Sequence, residues 1–98
     1  MQIIENWTDI KGEIESSRPS ETQQGFTDLE VKIAHATDVE AFPNLLKDTV
    51  GQTLTVQVPQ SAAAQTAFAP GNQISCRVRR AGPNRIYAHP EHIHPSAK

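Results

Sequence analysis

The sequence predicts an all-β domain, a small five-stranded barrel with a short helix between the third and fourth strands. Three observations predict it. Apolar and polar residues alternate strictly in several stretches, as where Leu54, Val56 and Val58 interleave with Thr53, Thr55 and Gln57. That period of two is the signature of a half-buried strand. Clusters of glycine, proline and asparagine punctuate the stretches. A single alanine-rich run, SAAAQTAF at residues 61–68, interrupts the series after the third strand.

The first strand is expected over residues 7–15, WTDIKGEIE, with Ile10 and Ile14 on one face and Lys11, Glu13 and Glu15 on the other. Gly12 interrupts it, and an isolated glycine in a strand marks a bulge or sharp bend. Residues 16–25, SSRPSETQQG, read as a polar loop holding Pro19 and Gly25. The second strand covers residues 26–34, where Leu29, Val31 and Ile33 alternate with Glu30 and Lys32. Residues 37–51 read as an irregular excursion with a short helical turn, packing Phe42 and Leu45 or Leu46 onto the barrel. The third strand, residues 52–59, is the cleanest, and Pro59 ends it.

Within residues 61–68 Ser61 suits the N-cap position and the alanines favour helix. Ala69, Pro70 and Gly71 stop it. The fourth strand, residues 72–80, places Ile74, Cys76 and Val78 on the core side and Ser75, Arg77 and Arg79 on the other. Gly82, Pro83 and Asn84 form a turn. Residues 85–89, RIYAH, make the fifth strand, and the proline-interrupted residues 90–98 are expected to be a flexible tail. The order, three strands, a short helix and two strands, is that of an OB-type barrel.

The 98 residues are the size of one domain, residues 1–98 with a core over about residues 7–89. The one cysteine, Cys76, cannot form an internal disulfide and reads as a small buried hydrophobe. The opening residues show no basic region leading into an apolar core. No apolar run nears the ~20 residues needed to span a bilayer. A cytoplasmic compartment without membrane insertion is therefore expected. A net charge of −2 argues against wrapping nucleic acid broadly but permits a local basic patch.

Residues 61–81 resemble the second half of a TOBE domain, the OB-type module found at the C-terminus of some transporter ATPases and in the molbindins. The resemblance rests on Ser61 and Ala62 in a short helix, Phe68, the Pro70-Gly71 pair, the VRRA run at residues 78–81, and DIKGEIE at residues 9–15. It covers about two-thirds of the chain. It implies a non-enzymatic binding module with a transport-associated role. Its ligand would be a small oxyanion such as molybdate, tungstate or sulfate, held at Ser61, Ala62 and Arg79. It also implies homo-oligomers or a transporter ATPase as partners. Two features depart from the family: residues 37–51 are longer than the module needs, and Arg79 stands where the oxyanion binders carry lysine.

Read from the residues alone, Arg77, Arg79, Arg80 and Arg85 form a basic strip near one turn. An arginine fork suits an oxyanion or phosphate. The plainer reading is solvation of an outward strand face and protection of strand edges. A nucleic-acid-binding OB module is the alternative: the arginines would track phosphates, and Tyr87 and Phe26 would stack bases. A third reading is a protein-interaction domain docking through an exposed strand edge or residues 37–51. His89, His92 and His94, with Glu91 between them, suggest a metal, but without cysteines they read as a solvated tail. No nucleophile elbow, phosphate loop or zinc-protease motif is present. No enzyme activity, metal or cofactor is expected.

Overall fold

The computed structural model describes residues 5–59, 68–82 and 85–96. Five strands account for most of them: β1 (Thr8–Pro19), β2 (Phe26–Asp38), β3 (Thr53–Pro59), β4 (Gln73–Gly82) and β5 (Arg85–Ser96). They form one sheet in the order β1-β2-β3-β5-β4, closed into a barrel by pairing of β1 with β4. Every pairing is antiparallel except β3 with β5, which run parallel with Gln57 opposite Tyr87.

Alternation decides what the barrel encloses, because successive side chains point to opposite faces. Ile10 and Ile14 of β1, Leu29, Val31 and Ile33 of β2, and Ile74, Cys76 and Val78 of β4 are all buried. Val56 and Val58 of β3 and Ile86 and Ala88 of β5 join them in one cluster. For β1 to β4 this is the face the sequence assigns to the core. Leu46, from the β2–β3 connection, and Phe68, just ahead of β4, are each 1% exposed and complete the cluster.

Gly12 performs the role its position suggests, through close approach. A methyl group placed on it would lie 2.3 Å from the Lys32 carbonyl oxygen and 2.7 Å from a Val31 methyl. The β1–β2 ladder shifts register on both sides of it, between Lys11 and Gly12 and between Ile14 and Ser16. The extra residues are Ala34 on β2 and Glu15 on β1, and such paired bulges bend a two-stranded ribbon into a barrel wall.

Two expectations need correction, and a third lies almost wholly outside the described residues. Residues 16–19 belong to β1, not to a loop: Ser16 pairs with Glu30 and Pro19 with Thr27. Pro19 is tolerated because it is the last residue of the strand. The loop itself runs over residues 20–25, where the Ser20 hydroxyl accepts the backbone N–H groups of Thr22 and Gln23 at 3.3 and 3.0 Å. The expected tail from residue 90 is strand as far as Ser96, with Cys76 opposite Ile93, Ile74 opposite Pro95 and Gln73 opposite Ser96. Between Ala88 and Ile93 the register shifts, so residues 89–92 bulge opposite Arg77. That bulge takes up Pro90, which has no N–H to give a ladder. Finally, the helix expected over residues 61–68 falls outside the described residues apart from Phe68. The helical turn that is described is a single 3-10 turn, Lys47–Thr49, between β2 and β3.

Residues 39–52 are organised by Asn44. Its carboxamide oxygen accepts from the Thr8 hydroxyl and from the Leu46 N–H, both at 3.0 Å. Its amide donates to the Asp38 carboxylate at 2.9 Å and to the Ala36 carbonyl at 3.3 Å. One side chain thus ties the connection to β1 and β2 and directs Leu46 inward. Phe42 and Leu45 are only half-buried. No helix among the described residues is long and apolar enough to cross a membrane.

A candidate binding groove on the β4–β5 face

Of the four arginines that form one strip in the sequence, Arg77 and Arg80 make hydrogen bonds within the protein, while Arg79 and Arg85 are exposed. Arg77 stands opposite Asp9 of β1 and donates to its carboxylate from Nε at 2.9 Å and from Nη2 at 3.3 Å. This two-pronged pairing raises the Arg77 guanidinium above its ordinary pKa and commits the fork to a protein carboxylate. Arg80 Nε donates to the Gly82 carbonyl at 3.4 Å. Arg85 is exposed at the start of β5, opposite Gly82. Arg79 is exposed and pairs across the ladder with Tyr87. Ser61 and Ala62, the other two positions expected at an oxyanion, lie outside the described residues.

Asn6 fixes the backbone on which Arg79 and Arg80 sit. It is 1% exposed. Its oxygen accepts the Arg80 N–H, and its amide donates to the Arg80 carbonyl, both at 2.9 Å. The side chain thereby substitutes for a strand residue beside β4. This holds the chain ahead of β1 against β4 and brings Trp7 to the same surface.

A groove of about 420 Å³ opens there. Trp7 and His89 contribute one wall, with ring centroids 5.4 Å apart and planes tilted by 55°. Phe26, at the start of β2, and Tyr87 of β5 contribute another, 5.8 Å apart and tilted by 58°. Gln23 of the β1–β2 loop, Pro59 and Pro90 complete the rim. Tilted aromatic pairs at these spacings are favourable in themselves. All four rings remain half-buried, so part of each face is available. Among the described residues that line the groove, Arg79 is the one lysine or arginine and none is a carboxylate. On a chain of net charge −2, this patch carries the opposite sign.

His89 and, packed on it, His92 belong to this surface. His89 Nδ1 accepts the Glu91 backbone N–H at 3.1 Å, which leaves the proton of the neutral ring on Nε2. His92 packs edge-on to His89 at 4.7 Å. No group of three or more His, Cys, Asp or Glu side chains among the described residues is placed to hold a metal ion. Cys76 is buried, and burial, with the nearby Asp9 charge second, pushes its thiol up to about 12. It is packing, as the alternation implies, and not a nucleophile.

The sequence reading named Arg79, Phe26 and Tyr87, and the groove brings these three together. It missed Asn6 and Trp7, and weighed His89 only as a metal ligand. The Asn6 contact spans 74 residues, and nothing local announces it. Trp7 had one available signal: it sits on the outward side of an alternating strand, where a large ring needs a partner.

No family model matches the chain, and searches of curated proteins and of solved structures find no match either.

Proposed function

We propose that this chain is a binding module without catalytic chemistry, an OB-type barrel whose β4–β5 groove takes single-stranded nucleic acid. The observation that carries the reading is the pairing of aromatic walls with a lone cation: Trp7, His89, Phe26 and Tyr87 around Arg79, without a lining carboxylate. Bases stack on exposed rings with ~1–3 kcal/mol per base. A guanidinium among the rings serves an adjacent phosphate. The strand order supports the OB-type assignment, and the groove borrows Gln23 from the loop between β1 and β2, one of the loops OB folds use for oligonucleotides. Duplex DNA or RNA suits the groove less well, since its bases are already stacked and its phosphates demand a wider basic surface.

The TOBE-like reading, with molybdate, tungstate or sulfate at Ser61, Ala62 and Arg79, rests on the resemblance alone. A small tetrahedral anion gains nothing from aromatic walls, and Arg77, its natural second fork, is held by Asp9.

Trp7 is the sole tryptophan and reports the site directly. Titration with single-stranded oligonucleotides at low salt should change its emission and raise the anisotropy of a labelled strand. Arg79→Ala and Tyr87→Ala should each weaken binding by about 5- to 150-fold, the equivalent of ~1–3 kcal/mol. Unchanged emission and anisotropy with both RNA and DNA would refute the reading. A melting temperature raised by molybdate or tungstate, and by no nucleic acid, would return the argument to the oxyanion.

A further inference from the structure

We propose, building on the nucleic-acid reading, that the groove accommodates one nucleotide unit, so that a nucleoside monophosphate, free or at the end of a strand, suffices to fill it. Three observations limit it to one. The first is size: about 420 Å³ lies toward the lower end of the ~300–1,000 Å³ typical of small-ligand sites. The second is charge. A track that follows a strand needs a cation at each phosphate, yet the groove offers Arg79 alone. The cations beside it point elsewhere: Arg77 is committed to Asp9 and Arg80 donates to the Gly82 carbonyl. Past Pro90 the next exposed charge is the carboxylate of Glu91, which repels a second phosphate. The third is geometry. Within each ring pair the planes are tilted, by 55° for Trp7 and His89 and by 58° for Phe26 and Tyr87. Neither pair therefore forms a level platform on which successive bases could stack. Gln23 at the rim carries both a donor and an acceptor for a base edge. The unit therefore places its base against these rings and its phosphate on Arg79.

This assignment carries a salt signature. One neutralised phosphate on a single strand gives a slope of log K against log salt of about −0.7, and each further contact adds as much again. The test uses the intact chain and Trp7 emission. The probes are adenosine and uridine monophosphates, the corresponding nucleosides, inorganic phosphate, and a single strand of about eight nucleotides. The monophosphates are expected to bind within about tenfold of the oligonucleotide, and both slopes to stay near one phosphate. Nucleosides and phosphate are expected to bind more weakly than the monophosphates. Arg79→Gln, a conservative change at an exposed position, should bring the monophosphate down to the nucleoside. A strand closed into a circle separates the sources: loss of its binding assigns a chain end, and retained binding by the free monophosphates alone assigns the free nucleotide. An oligonucleotide that binds more than about a hundredfold tighter than any monophosphate, with a slope steeper than about −2, would overturn the one-nucleotide site and leave the nucleic-acid function standing. Absence of binding by every probe overturns both.

Discussion

Replacing Asn6 tests how the groove is held together. Its carboxamide makes two hydrogen bonds of 2.9 Å to the two backbone groups of Arg80, in a position 1% exposed. Alanine removes both bonds and leaves the Arg80 N–H and carbonyl to find other partners. A net loss of ~1 kcal/mol per bond, plus part of the cost of an unpaired buried group, gives about 2–3 kcal/mol. For a domain of this size that lowers the melting temperature by roughly 10–20 °C. Because Trp7 follows directly, its emission should shift toward that of a hydrated indole below the transition. Asn6→Asp refines the test. The carboxylate still accepts from the Arg80 N–H but faces the Arg80 carbonyl without a proton to donate. Its ionised form is disfavoured in the fold, which raises its pKa, so the deficit against Asn6 should shrink as pH falls from above toward the ordinary carboxylate value near ~4. Denaturant and thermal unfolding supply the free energies. An alanine variant within about 0.5 kcal/mol of the parent, the scale of an unremarkable surface change, with unmoved Trp7 emission, would refute the clamp.

Two further perturbations probe the barrel. Gly12→Ala sets a methyl group 2.3 Å from the Lys32 carbonyl oxygen. Backbone must move, so the cost should reach at least ~1–3 kcal/mol by chemical denaturation, and a neutral result would contradict the close approach. Cys76 should resist thiol reagents in the native state at pH 8 and react on unfolding. Its thiol rises from 9.0 to about 12 in the fold, so the stability it contributes is complete below pH 9 and is withdrawn as pH climbs from there toward 12. The full gap corresponds to about 4 kcal/mol. Parallel unfolding of Cys76→Ala should show a shallower loss across that window, and equal slopes would show that the thiol ionises as readily folded as unfolded.

What the sequence reveals depends on how far each determinant reaches along the chain. The faces of β2, β3 and β4 are legible because alternation is a property of neighbours, and Leu29, Val56 and Val78 declare their side within a few residues. Gly12 is legible as a bend because glycine within a strand has few other uses. The prolines mislead. Pro90 and Pro95 cannot donate to a ladder, so the local pattern ends the chain's order at His89. Yet β5 continues to Ser96, because residues 89–92 step out of register and Ile93 returns to meet Cys76. Only the partner strand determines that outcome, and no window of sequence contains it. Long-range pairing hides Asp9 from Arg77 in the same way, so four arginines read as a strip when one is already neutralised.

The β5 bulge also explains why a groove exists on this face at all. A regular strand would pair residues 89–92 one by one with Arg77, Cys76, Ser75 and Ile74, where here all four stand against Arg77. The bulge required by Pro90 instead brings His89 onto Trp7 and sets Pro90 on the rim. Across the same surface the Asn6 clamp delivers Trp7, and the β1–β2 loop delivers Phe26 beside Tyr87. The groove is therefore assembled from the irregular parts of a regular barrel: a bulge, a loop and a side chain acting as a strand. Each of these can be altered without touching the alternating core of Ile10, Val31 and Val78. Binding and stability should accordingly separate by position, with Arg79 and Tyr87 governing the ligand and Gly12 the fold. Asn6 is the one residue expected to govern both.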